Sequence, residues 1–400
     1  MTTPLTIVPS RDSADPRRLS ALATVGGQTV RLATTANVPL TQDSTPWLPV
    51  ATVVGMRSAR DVALYGDVSE HALANSREAM ALLQTWYPER MHDVTVDAPM
   101  PTTSSDPGPR GVAAFFSGGV DSYYTTLKNL EEITHLIFIH GFDIDLFNED
   151  LAERTLVAMR KSAAELGKQL IEVRTDVRSW LDRNDVDWGP EGFGPLLAHV
   201  GLALANVVSK IYIPASHTFD DMKPNGSHPD LDPLWSSDAV SFVHDGVEAT
   251  RAAKIKLFVD SDAAMRHLRV CWWNGNNDYN CGECEKCVRT MLNLYIAGGL
   301  ERCATLPDRV STDVIDRLYF NESAKIFAAE NLNDLRASDI DDPGLEAALE
   351  RILARSEFQN QLNIARTIPT GLRNIFTRQF FRFWFSRTRP PVNDHLKGSR

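Results

Sequence analysis

From Gly111 onward, short apolar runs alternate with longer segments in which apolar residues return at helical spacing. GVAAFF leads into a helix ending near Glu132, HLIFIHG into one from about Asn148 to Leu166, and QLIEVRTD into one around Pro195 to Ser209; KIYIPAS follows. Strands apolar along their length and joined by helices predict an α/β fold, a parallel sheet with helices on both faces. Such sheets bind ligands beyond the carboxyl ends of their strands, so the loops after Phe116, Ile139, Val173 and Ile213 are the places to look.

The flanking regions are patterned differently. Residues 1–108 mix β-like runs (TVRLATT, PVATVVGM, DVALYGDV) with one amphipathic helix, SEHALANSREAMALLQTWY, opened by Ser69 and Glu70. They predict a small α+β domain, closed by the Pro- and Ser-rich linker of residues 97–111. The α/β domain is expected over 111–305. Residues 306–400 read as helical (STDVIDRLYF, SAKIFAAENL, PGLEAALERILARS) and end in a basic aromatic tail. Six arginines and no acid lie between Arg366 and Arg389, and Leu372, Phe376, Phe380 and Trp384 recur every fourth residue. Packing on its own domain is the default for such a helix, with RNA or an anionic membrane surface as alternatives.

Composition narrows the class. Of 400 residues, 43% are hydrophobic and 23% charged, which fits a globular chain of two or three domains. The net charge of -11 argues against a surface generally coated with nucleic acid. The amino terminus lacks a secretory pattern and no apolar run reaches the roughly 18 residues of a spanning helix, so a cytoplasmic protein without a transmembrane segment is expected. All five cysteines fall between positions 271 and 303, a clustering that suggests metal rather than a disulfide framework.

Two motifs carry chemistry. At the end of GVAAFF stand Ser117, Gly118, Gly119, Val120, Asp121 and Ser122, followed at once by a helical segment. Glycines let backbone amides approach an anion, and a helix amino terminus adds unpaired donors and partial positive charge. A carboxylate beside a phosphate repels it unless a cation intervenes, so Asp121 points to a magnesium nucleotide. The P-loop pattern is absent, and GPEGFG at Gly189 follows no strand. The bland reading is a strand-to-helix turn with an N-cap. SGGVDS resembles the SGGxDS signature of the PP-loop ATP pyrophosphatases, the adenine nucleotide alpha hydrolase-like superfamily. The resemblance implies cleavage of ATP between its α and β phosphates, with Ser117, Gly118, Gly119, Asp121 and Ser122 holding pyrophosphate and Mg2+.

The second motif is Cys271 followed after ten residues by C-G-E-C-E-K-C, which sets Cys281, Cys284 and Cys287 three apart. That spacing lets tight turns aim thiolates at one metal, and a closed site of four thiolates is usually structural zinc. An iron–sulfur cluster and plain buried thiols are the alternatives. Cys303 is left over and reads as a buried thiol. A PP-loop with a later C-x9-C-x2-C-x2-C is similar to the 7-cyano-7-deazaguanine synthase family over about residues 111–299.

Further candidates follow from position. His140, Gly141 and Asp143 succeed the second strand of the α/β region, where adenine and ribose contacts are expected, though Asp143 also suits a turn cap. After KIYIPAS comes a long polar loop with Ser216, His217 and His228, a natural substrate lid. Arg251 and Lys254, three apart, share one helical face and are suited to offset charge on a departing pyrophosphate; the resemblance favours Lys254. Asp121, Arg251 and Lys254 are thus the expected catalytic residues. The expected activity is a C–N ligase reaction. ATP, with Mg2+, adenylates a carboxylate or amide oxygen on a small-molecule or protein acceptor, and ammonia or an amine then attacks. Sulfur transfer to tRNA and a non-catalytic ATP sensor are the rival readings.

Overall fold

The structure, a computed structural model, describes residues 3–10, 15–99, 108–274, 277–320, 322–356 and 359–360. The chain opens with β1 (Leu5–Pro9), β2 (Arg18–Val25), β3 (Gln28–Ala36), α1 (Leu48–Ser58), β4 (Val62–Leu64), α2 (Glu70–Trp86) and β5 (Val96–Asp97). It continues through β6 (Gly111–Phe115), α3 (Val120–Lys128), β7 (His135–His140), α4 (Glu149–Glu165), β8 (Gln169–Thr175), α5 (Val177–Arg183), α6 (Phe193–Ala203) and β9 (Val208–Pro214). Then follow β10 (Ser241–Asp245), α7 (Arg251–Phe258), α8 (Asp262–His267), α9 (Glu285–Ile296), α10 (Thr312–Arg317), α11 (Glu322–Ala337) and α12 (Pro343–Leu353). The basic tail of the sequence reading lies outside the described residues.

Among the described residues the strands form one sheet of ten, in the order β10-β9-β6-β7-β8-β3-β2-β1-β4-β5. From β10 to β8 every pair is parallel, as continuous apolar strands require. β3 then pairs antiparallel with β8, bringing in the hairpin partner β2 and, beyond it, β1. Alternation along a strand sends neighbouring residues to opposite faces. Ala113 and Phe115 accordingly join one buried cluster, with α1 and α6, while Ala114 and Phe116 join a second, with residues of α4, α7 and α9. The first cluster also contains Leu5, Ile7 and Leu32, so strands from both sides of residue 108 share one core. A third cluster packs α10, α11 and α12 against Val288 and Leu292 of α9.

One stretch departs from its expected conformation. PVATVVGM, read as strand-like, lies within α1, where every residue from Leu48 to Met56 is buried. A helix enclosed on all sides has no polar face, so its sequence shows no helical period and its β-branched residues read as a strand. Gly55 permits that enclosure, because a Cβ there would meet Val62 Cγ2 at 2.5 Å and Arg60 O at 2.9 Å. No helix among the described residues is long and apolar enough to cross a membrane.

Candidate functional site

The chain runs from β6 outward through β7 and β8 on one side, then returns to place β9 on the other side of β6. Reversal of strand order opens a crevice between the carboxyl ends of β6 and β9, the usual ligand position in such sheets. Both flanking loops carry residues singled out by the sequence. After β6 come Ser117, which is exposed, Gly118, and Gly119, which is half-buried and stands at the N-cap of α3 with no side chain capping the helix. Gly118 has φ +75°, a conformation that disfavours any Cβ, and a Cβ there would also meet Met159 Sδ at 2.9 Å. Its carbonyl accepts from Arg269 N–H at 2.7 Å. Val120 and Ser122 are buried, and the Ser122 hydroxyl donates to Gly119 O at 3.0 Å, bracing the first turn.

Asp121 is the meeting point. Lys254 Nζ lies 3.1 Å from its Oδ1, Arg251 Nη1 3.8 Å from its Oδ2, and the Ser216 hydroxyl donates to Oδ2 at 3.3 Å. Lys254, only 1% exposed, also donates to Ala215 O at 2.5 Å, which ties α7 to the end of β9. Thr250 starts α7 by accepting from Ala253 N, and the three-residue spacing then turns Arg251 and Lys254 together toward the glycine loop. Burial pushes the Asp121 carboxyl up, but Lys254 and then Arg251 outweigh it and hold the pKa below the ordinary value. The carboxylate is ionised at neutral pH.

Residues that sequence reasoning did not assign to this site complete it. Arg251 Nη2 donates to Thr290 Oγ1 of α9 at 2.9 Å. One turn earlier on the same helix, Lys286 faces the charges of Asp143, Arg289, Arg251 and Asp121; burial is the main cause lowering its pKa. Arg289 is buried, with its pKa pushed down to about 10 by burial and then by Arg251. The guanidinium of Arg289 covers the Phe327 ring of α11 at 3.9 Å, and His217 stacks on the same ring with centroids 6.1 Å apart. Burial lowers the His217 pKa, which Asp121 partly restores, so the imidazole is neutral at pH 7. Lys286 and His217 are both exposed to solvent, and both feel the charges of Asp121 and Arg289. Among the described residues the buried Nε atoms of Arg251 and Arg269 have no hydrogen-bond partner, whereas Arg289 Nε lies 3.2 Å from Glu285 Oε1.

The loop after β7 is held near by different means. His140 is buried; its Nε2 faces Asp145 O at 3.2 Å and its Nδ1 faces Arg174 Nη1 at 3.3 Å, so it braces the loop. Gly141 has φ +110° and a Cβ on it would collide with the Thr175 carbonyl oxygen. Asp143 is exposed, and its carbonyl accepts from Asn274 Nδ2 at 3.0 Å. The loop after Val173 is otherwise engaged, since Asp176 accepts from Ala33 N–H at 2.9 Å on β3.

The four cysteines converge beside this cleft. Sγ separations are 3.6 Å for Cys271 and Cys281, 3.9 Å for Cys271 and Cys284, and 3.9 Å for Cys281 and Cys287. All four sulfurs lie within 4.8 Å of one another. A tetrahedral zinc with bonds of about 2.3 Å sets its sulfurs roughly 3.8 Å apart, so the group fits one such ion. An iron–sulfur cube binds each thiolate to a different iron and spreads them further. Gly282, with φ +71°, makes the turn between Cys281 and Cys284 possible, and a Cβ there would meet Pro307 Cγ at 2.8 Å. Cys284 is the N-cap of α9, and its N–H donates to Cys281 Sγ at 3.2 Å. Cys303 is buried apart from them, beside Thr305. Comparison with family models, with curated proteins and with solved structures finds no match to this chain.

Proposed function

We propose that the cleft binds magnesium ATP and that the protein adenylates a carboxylate or amide oxygen of an acceptor, releasing pyrophosphate, before ammonia or an amine displaces AMP. The reading places the chain with the PP-loop ATP pyrophosphatases and rests first on one observation. An uncapped glycine loop meets an ionised carboxylate and two cations, the partly buried Arg251 and the buried Lys254, at the point where strand order reverses.

Each group has a task. The amides from Gly118 to Asp121 face the terminal phosphates, with the Ser117 hydroxyl beside them. Asp121 would hold magnesium, whose charge keeps carboxylate and phosphate together. Lys254 and Arg251, fixed before the ligand arrives, offset charge on the departing pyrophosphate without reorganisation. Gly141 and Asp143 border the nucleoside end. Zinc bound by Cys271, Cys281, Cys284 and Cys287 is closed by four protein ligands and supplies structure rather than chemistry. Sulfur transfer is less well supported, since the one thiol outside that cluster is buried.

The test uses pure full-length protein with α- and γ-labelled ATP and a panel of carboxylic acids and amides. AMP and pyrophosphate are the expected products, lost in Asp121→Asn. Release of inorganic phosphate and ADP would refute the proposal.

A further inference from the structure

The thiolate cluster reaches the glycine loop by two arms. The first is the strap Leu268 to Cys271. Asn280, just ahead of Cys281, accepts from Val270 N–H at 2.8 Å and Cys271 N–H at 3.1 Å through one oxygen. Its amide nitrogen donates to Leu268 O at 2.8 Å and Thr305 O at 3.2 Å. So clamped, the strap lies against both loop glycines. Arg269 N–H bonds Gly118 O at 2.7 Å, Arg269 Cβ lies 3.6 Å from where a Gly118 side chain would begin, and Arg269 O stands equally close to the corresponding point of Gly119. A bond on the Gly118 carbonyl fixes the plane of the peptide that follows, hence the direction of Gly119 N–H. The Arg269 side chain continues to Asn274 at 2.7 Å, and Asn274 to the Asp143 carbonyl.

The second arm is α9, which begins at Cys284. Six residues on, Thr290 accepts from Arg251, and Arg251 faces Asp121. Drawing four sulfurs onto one ion therefore sets a peptide of the loop and a cation of its far wall at once.

We infer that the metal and the phosphate group bind cooperatively, with Asn280 and Arg269 as the positioning residues that couple them. This rests on the functional proposal only in requiring that the loop bind a nucleotide's phosphates. Linkage makes the effect reciprocal: if metal tightens nucleotide binding about tenfold, nucleotide tightens metal binding by the same factor. Asn280→Ala keeps all four thiolates and loses the clamp.

The experiment measures binding of magnesium α,β-methylene-ATP by calorimetry to zinc-loaded and chelator-stripped full-length protein, with circular dichroism monitoring the fold. Zinc retention against a chelator series is measured with and without the analogue, in excess magnesium so that the analogue's phosphates do not compete for zinc. The expected result is at least tenfold weaker nucleotide binding after stripping and a matching loss of zinc retention without nucleotide. Asn280→Ala should still bind one zinc per chain while its coupling factor falls toward one. Equal nucleotide affinity in loaded and stripped protein, or full coupling in folded Asn280→Ala, overturns the inference and leaves ATP binding standing. If stripping unfolds the wild type, zinc retention with and without nucleotide decides alone, and equal retention overturns it. No nucleotide binding by loaded wild type removes the functional proposal and the coupling together.

Discussion

Replacing Asp121 by Asn removes one partner of a buried ion pair and leaves the geometry of the loop in place. Lys254 is only 1% exposed and keeps neutral acceptors alone, Ala215 O and the oxygen of the introduced amide, with no opposite charge on Oδ1. An uncompensated buried charge costs 3–5 kcal/mol as a rule, and the 21% exposure of the Asp121 side chain places this case near about 3 kcal/mol. Lys254→Met should cost less, about 1–2 kcal/mol, because Asp121 retains Arg251 and Ser216. Joining the two changes removes both charges, so the double variant should be no worse than Lys254→Met alone, an interaction energy of at least about 3 kcal/mol. Urea unfolding at pH 7 measures all four proteins. The folded pKa of Asp121 lies below its unfolded value, so the pair's contribution is complete above about pH 4 and disappears as pH falls through the lowered folded value. Nucleotide binding should be lost in all three variants, including the restabilised double. Additive destabilisation would refute the buried-pair account, and unchanged nucleotide affinity in the double variant would refute the assignment of both residues to the phosphate site.

Two other consequences are testable by the same unfolding measurement. Gly141→Ala sets a Cβ against the Thr175 carbonyl oxygen at φ +110°, where backbone cannot readily yield, and should cost more than about 3 kcal/mol or prevent folding; a loss below 1 kcal/mol would show that the loop after β7 relaxes freely. His199 is fully buried between Thr34 Oγ1 and Pro46 O, and burial pushes its pKa down to about 4. The unfolded chain therefore takes up the proton first, and stability should fall as pH drops from about 6.5 toward 4, by about 2 kcal/mol at pH 5. His199→Gln should remove that step.

The glycine loop and the cysteine group were legible because each is written in contiguous residues whose chemistry depends on backbone freedom or ligand spacing. Position along the sheet also singled out the loops after Phe116 and Ile213, which meet at Asp121 and Ser216. The rest of the cleft has no such signature. Lys286 and Arg289 stand among and just after the cysteine ligands in the sequence, whereas the helix capped by Cys284 turns them toward Asp121 and Arg251. Phe327 belongs to a helix that by pattern is merely amphipathic, and only tertiary packing brings it between His217 and Arg289. β10 went unread because SFVHD alternates weakly and follows a long polar loop. α1 misled for the opposite reason, being apolar on every side.

The seam between β3 and β8 limits how this chain can be cut. A fragment starting at Gly111 would bare the flank of a seven-residue strand, with its amides and carbonyls aligned for a stranger's backbone. It would also strip cover from Val173 and Ile171, which share their buried cluster with Leu5 and Leu32. Shortened versions made for crystallisation or expression should therefore keep the first hundred residues, or expect self-association through that newly opened border.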